Sequence, residues 1–100
     1  MTPEGKLLKQ IQAYLNKHRI WHYRTQMGMA AGLPDIIAIY RGYFVGLELK
    51  RPDGKGKATL QQEKVINDIQ EAGGFAAIIE SEAQLQWLLI QIQDHAKKSA

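Results

Sequence analysis

Three residues of this 100-residue chain have the types and spacing to do chemistry: Asp35, Glu48 and Lys50. Asp35 closes the stretch Gly32-Leu33-Pro34-Asp35, and the other two lie in Val45-Gly46-Leu47-Glu48-Leu49-Lys50. An apolar run, Ile36 to Ile39, and the pair Arg41-Gly42 separate them. If Arg41-Gly42 is the loop of a two-residue hairpin, Tyr40 pairs with Tyr43, and counting back brings Asp35 opposite Glu48. Arginine disfavours positive φ, so a slip of one or two residues stays open. Two carboxylates about 5 Å apart repel by about 3 kcal/mol at an effective dielectric near 20. A fold that keeps them together holds a cation between them or a proton shared by the pair. Oxygen ligands alone suit a hard divalent ion such as magnesium or manganese, and the backbone carbonyl of Leu49 is a further candidate ligand. Lys50 shares a strand face with Glu48, within reach of an attacking water or a scissile phosphate. Together these are the parts for phosphodiester hydrolysis. The plainer alternative is that Asp35 caps a turn after proline while Glu48 and Lys50 form an exposed strand pair. Spacing alone leaves both open.

The surrounding elements are those that could position such a trio. A first helix starts with Thr2 as N-cap and Pro3 at the first helical position, with Leu7, Leu8, Ile11 and Leu15 as its apolar stripe. Glu4 continues that stripe. It is either an acid set against the helix dipole or a residue aimed at the site. Ile20 to Gln26 reads as a strand, and Met27 to Gly32 as a loop. Asp35 to Tyr40 reads as a strand covered on both faces, and Tyr43 to Lys50 as its hairpin partner. A basic turn from Pro52 to Lys57 leads to a second helix, N-capped by Thr59 in a capping box with Gln62. That helix is buried through Val65, Ile66, Ile69 and Ala72 and ends at Gly73-Gly74. Phe75 to Ile79 is a short apolar strand. Ser81 and Gln84 form a second capping box, opening a helix buried through Leu85, Leu88, Leu89 and Ile92, with a frayed tail from His95 onward. The order is helix, three strands, helix, strand, helix. It predicts one α/β domain over residues 1–100, a small mixed sheet with helices on both faces. Strands two and three form a hairpin, and strands three and four run parallel through a crossover.

Composition narrows the class. A hydrophobic fraction of 45% excludes a disordered chain, and no apolar run approaches the roughly 20 residues a membrane span needs. Without cysteine there is no disulfide and no thiolate metal site, and without a secretory signal an intracellular protein is expected. The net charge of +3 points only weakly to nucleic acid. The basic residues placed to meet phosphates are Arg24 on strand one and Arg51, Lys55 and Lys57 just beyond the acidic pair.

The motif Leu33-Pro34-Asp35 followed by Glu48-Leu49-Lys50 resembles the PD-(D/E)xK nuclease motif. With Gly32 before it, Gly46-Leu47 inside it and Gln62 in the next helix, it is similar to the VRR-NUC subfamily, nearly end to end. The resemblance implies a restriction-endonuclease-like core and a magnesium- or manganese-dependent endonuclease acting on structured DNA. Asp35 and Glu48 match the metal ligands, Lys50 the catalytic lysine, and Gln62 a glutamine that supports the site. For Gln62 that role competes with the capping box, and its place beside Ile66 and Ile69 tilts the reading towards the site. Glu4 matches an acid at the start of the family's first helix. The chain departs from the family between Gly28 and Pro34, where many relatives carry a longer basic loop. Small stand-alone members resemble Holliday-junction resolvases, so a four-way junction as DNA partner and a homodimer are expected. Trp21, Tyr23, Trp87 and Ile90 are candidate dimer contacts, with core packing the favoured role for most of them. The alternative is a non-catalytic DNA-binding module on a nuclease-like fold.

Overall fold

The computed structural model describes residues 1–26, 29–54 and 56–99. Seven elements follow in chain order: α1 (Pro3–Lys17), β1 (His22–Arg24), β2 (Ile36–Tyr40), β3 (Tyr43–Leu49), α2 (Leu60–Glu71), β4 (Phe75–Ile79) and α3 (Glu82–Ser99). The strands form one mixed sheet in the order β1-β2-β3-β4. The first two pairings are antiparallel and the β3–β4 pairing is parallel across α2, the crossover that the sequence order requires.

The hairpin register is the one counted from the sequence. Tyr40 pairs with Tyr43, and the ladder runs back to Ile36 opposite Leu47. Arg41 and Gly42 both take positive φ, 52° and 83°, as the right-handed twist of the strands demands of a two-residue loop. Arginine accepts the left-handed region here at a cost of about 1 kcal/mol, and no slip occurs.

Period-two alternation divides the sheet into two faces. Ile36, Ala38, Val45, Leu47, Leu49 and Ile79 turn to one side. There they pack with Leu7, Ile11 and Leu15 of α1 and Leu85, Leu88, Leu89 and Ile92 of α3. Truncating any of these leucines or isoleucines to alanine would cost about 2–5 kcal/mol. The other face receives α2, whose Ile69 lies over Gly46 and Gly74. This helix covers only the β3–β4 half, and none of its residues is fully buried.

Several expectations are corrected by this arrangement. Strand two is not covered on both faces: Ile39 is 45% exposed because α2 does not reach it. Strand one is shorter than Ile20 to Gln26: it spans His22–Arg24, and one further backbone bond, from the Thr25 N–H to the Asp35 carbonyl, continues its register with β2. The last helix does not fray at His95 but runs to Ser99, with Ala100 outside the described residues. Trp21, Tyr23, Trp87 and Ile90 are all exposed rather than core residues. Part of the loop expected from Met27, including Gly28, where the departure from the family begins, also lies outside the described residues.

Candidate active site

Asp35 sits one residue before the β2 ladder begins. Five contacts fix it there. Thr25 donates its backbone N–H to the Asp35 carbonyl at 2.9 Å, and its hydroxyl lies 2.6 Å from the Pro34 carbonyl and 3.2 Å from that of Asp35. The Pro34 ring is buried against Gly46: a Cβ on that glycine would stand 2.8 Å from Pro34 Cγ. Gly32 takes φ +82°, and a Cβ there would lie 2.7 Å from the Gln61 carbonyl oxygen of α2. The motif glycines are therefore close-approach positions that seat the Pro34-Asp35 segment between β1, β3 and the start of α2. Sequence reasoning does not single out Thr25. Its only signal was a hydroxyl residue at the end of strand one.

From that seat the Asp35 carboxylate reaches across to β3, where Oδ2 accepts the Leu49 N–H at 2.8 Å. Its neighbour there is Glu48, buried to 2% exposure and hydrogen-bonded to Asp35. Burial, the bond to Asp35 and the charge of Asp35 push the Glu48 carboxyl up to about 8, against partial relief from Lys50; the charge of Glu4 adds to the rise. Glu48 is thus protonated at neutral pH and donates to Asp35, leaving its Oε2 buried without a partner. A buried orphan acceptor beside a second carboxylate is a costly arrangement in a bare fold. The expectation of an exposed strand pair at Glu48 is excluded by its burial.

The remaining residues fall around this pair. Lys50 is half-buried on the strand face of Glu48, and its ammonium has no ion-pair partner among the described residues. Glu4, at the first turn of α1, lines a cavity of about 230 Å³ with Thr2, Leu8, Arg24, Asp35 and Leu49. It therefore faces the site while keeping its place at the helix start. Among the described residues no three His, Asp or Glu side chains stand close enough to hold a metal by themselves. The donor set is two carboxylates, with the Leu49 backbone as the remaining oxygen candidate and Glu4 farther out. Oxygen donors and an unpartnered Oε2 fit a hard divalent cation.

Two expectations shift. Gln62 gives its side chain to the cap: Oε1 accepts the Thr59 N–H at 2.9 Å, and the Gln62 N–H donates to Thr59 Oγ1 at 3.1 Å. The tilt towards the active site is corrected, because a reciprocal capping box occupies the acceptor that a site would need. Arg51 is held by Asp53 at 2.7 Å rather than standing free for phosphate. Arg24 does line the approach to Asp35, and Lys57 is exposed on the turn before α2. Lys55 lies outside the described residues.

The fold is that of a VRR-NUC domain. A solved structure described as a VRR_NUC domain protein superposes with a TM-score of 0.73 at 21% identity, over 97% of this chain and 90% of that one. The sequence itself matches no protein-family model and no curated protein.

Proposed function

We propose that this protein is a divalent-metal-dependent endonuclease that hydrolyses phosphodiester bonds in branched DNA, the four-way junction foremost. The observation that carries the reading is the buried Glu48 carboxyl, hydrogen-bonded to Asp35 with Oε2 unpartnered, on a VRR-NUC fold. Asp35, Glu48 and the Leu49 carbonyl would hold a magnesium or manganese ion, and Glu4 would approach it from α1. A bound cation supplies the positive charge that lowers the pKa of an attacking water and offsets charge on the phosphate. Lys50 orients that water and stabilises negative charge developing on the phosphoryl oxygens. Arg24 meets the phosphate on the approach to Asp35, and Lys57 binds backbone further out. Symmetric cuts on two strands need two such sites, and each chain supplies one, so the active species is a homodimer.

The test is a cleavage assay over junction, flap and linear duplex substrates with magnesium and with a chelator. Cleavage of branched DNA that vanishes with chelator, and in Lys50→Ala protein that still binds DNA, is the expected result. Undiminished cutting by Asp35→Ala or Glu48→Ala protein would overturn it.

A further inference from the structure

The loop that joins β3 to α2 carries an ion pair that its shape does not require. Arg51-Pro52-Asp53-Gly54 is a turn set by its backbone. The proline ring fixes φ at the second position, the Gly54 N–H donates to the Arg51 carbonyl at 3.0 Å, and Gly54 takes φ +74°. Across this turn Arg51 Nη2 donates to Asp53 Oδ2 at 2.7 Å, and the two side chains are 42% and 39% exposed. An ion pair so open to solvent holds weakly. The next nitrogen of the same guanidinium is the anomaly: Arg51 Nε is buried and has no hydrogen-bond partner among the described residues. Nε and Nη2 lie on one edge of the guanidinium, where their N–H groups form a fork that grips two oxygens of one anion. Asp53 Oδ2 takes one prong. The other is a buried donor without an acceptor, which a finished structural contact would not leave.

We propose that Arg51 clamps a non-scissile phosphate of the substrate through this fork, and that Asp53 is a stand-in which the phosphate displaces. A phosphodiester presents two non-bridging oxygens on one atom, the pair that the fork needs. In the exchange Nη2 trades a carboxylate oxygen for a phosphate oxygen, Nε gains its missing acceptor, and the half-exposed Asp53 carboxylate is rehydrated. Position favours a substrate phosphate over any other anion. Arg51 follows Leu49 and Lys50 directly, at the end of the strand that carries Glu48. A Cβ on Gly56 would stand 3.5 Å from Glu4 Oε1 and 3.6 Å from Arg51 Cγ, so the loop folds back and keeps Arg51 beside an acid that lines the site cavity. Lys50 serves the scissile phosphate, and Arg51, one residue on, takes an adjoining one. Such a contact fixes the register of the strand in the site and reads no base.

This deepens the nuclease reading by adding a substrate contact and its intramolecular competitor, and it rests on that reading for the identity of the anion. The probe is a fluorescein-labelled four-way junction titrated in EDTA, so that no cleavage intervenes. Asp53→Asn should bind it about fivefold more tightly. Arg51→Lys, which keeps the charge and loses the fork, should bind about fivefold more weakly, and in that background Asp53→Asn should change little. Arg51→Gln should lower the slope of log affinity on log salt by about one. The comparison is Asp68, which holds Lys64 at 2.8 Å on α2: Asp68→Asn removes an equal charge and should leave binding unchanged. In magnesium, Arg51→Lys should raise KM and spare kcat. Equal tightening by Asp68→Asn, or tightening by Asp53→Asn that persists in Arg51→Lys protein, would assign the effect to net charge and overturn the clamp. So would weaker binding by Asp53→Asn with a lower urea midpoint, which would make the pair a fastener of the turn. The two readings can fail separately. Tightening that depends on Arg51, without cleavage of any DNA, removes the nuclease and keeps the clamp. Magnesium-dependent cleavage with unchanged binding in all these variants does the reverse.

Discussion

The carboxylate of Asp35 accepts the N–H of Leu49 at 2.8 Å, across the end of a ladder whose last backbone pair is Ile36 with Leu47. The side chain thus carries the hairpin past the point where β2 begins. That one bond aligns Asp35 beside Glu48 through a single carboxylate oxygen, Oδ2. It also ties the site to the sheet rather than to the loop that precedes it.

Substituting Asp35→Asn separates the structural use of this carboxylate from its charge. An amide oxygen can still accept from Leu49, so unfolding free energy should stay within about 1 kcal/mol of wild type. The charge that repels an ionised Glu48 is gone, and the amide can donate to it. The Glu48 carboxyl should therefore titrate well below 8 while burial keeps it above 4.5, measurable by carbon-detected NMR of labelled glutamate. Cleavage should fall at least about a hundredfold, because an amide holds a divalent cation less tightly than the carboxylate it replaces.

Glu48 also predicts how stability depends on pH in the metal-free protein. Its native carboxyl is pushed up to about 8 from 4.5, so between those values the folded chain binds a proton that the unfolded chain does not. Stability from this group is fully present below about pH 4.5 and is lost as pH rises through about 8. Urea titrations in EDTA should show a falling midpoint from pH 5 to 9. Glu48→Gln, a neutral mimic of the protonated side chain, should flatten that slope and exceed wild type at pH 9 by roughly 2 kcal/mol. An unchanged slope in Glu48→Gln would place the titrating group elsewhere.

Thr25 holds the Pro34-Asp35 backbone through its hydroxyl, at 2.6 Å from the Pro34 carbonyl. Thr25→Val keeps the shape and removes the donor, leaving a half-buried carbonyl without it. The loss of stability should be about 1 kcal/mol, and the loss of kcat larger, about tenfold, because the bond positions Asp35 rather than the core. Thr25→Ser should recover most of the rate. Equal recovery of rate and stability in both variants would mean the hydroxyl positions nothing.

Much of this geometry is legible in the sequence, for identifiable reasons. The hairpin register followed from a two-residue gap, a count that depends on no propensity, and Arg41 took the strained conformation that the count required. The helix starts were legible because Thr2 and Thr59 stand where side-chain oxygens cap free N–H groups. What could not be read was coverage. Ile36 to Ile39 is uniformly apolar, yet only Ile36 and Ala38 are buried, because the reach of α2 is set by its packing on β3 and β4. Gln62 shows a related limit. Its local cap and its place on the inner stripe fit the sequence equally, and only the bond to Thr59 decides between them. Glu4 stood between the same two kinds of role, and the fold lets it fill both positions at once.

Gly46 offers a test of how the site is seated. A methyl group there would lie 2.8 Å from Pro34 Cγ and 3.2 Å from Ile69 Cδ1, closer than the packed side chains can accept without moving. Gly46→Ala should cost about 1–3 kcal/mol and push Pro34, and Asp35 with it, away from β3. The Leu49 amide proton, shielded by Asp35 in the wild type, should then exchange faster with solvent. Gly42→Ala at the hairpin turn is the comparison. Nothing lies within 4 Å of its added Cβ, so its cost comes from positive φ alone and the site should be unaffected.

Cation binding should be coupled to proton release, and this is the most direct test of whether Asp35 and Glu48 form a metal site. Without metal the pair holds a proton at neutral pH, since the Glu48 carboxyl lies at about 8. A divalent cation needs both carboxylates ionised, so each bound ion must displace about one proton. Apparent affinity for magnesium or manganese should rise about tenfold for each pH step of one below pH 8 and level off above it. Calorimetry at pH 7 in two buffers of different ionisation enthalpy measures the proton directly. The Glu48→Gln variant should lose most of the affinity and all of the release. Tight binding with no proton released would mean that the cation sits away from Glu48, and that the orphan Oε2 has another explanation.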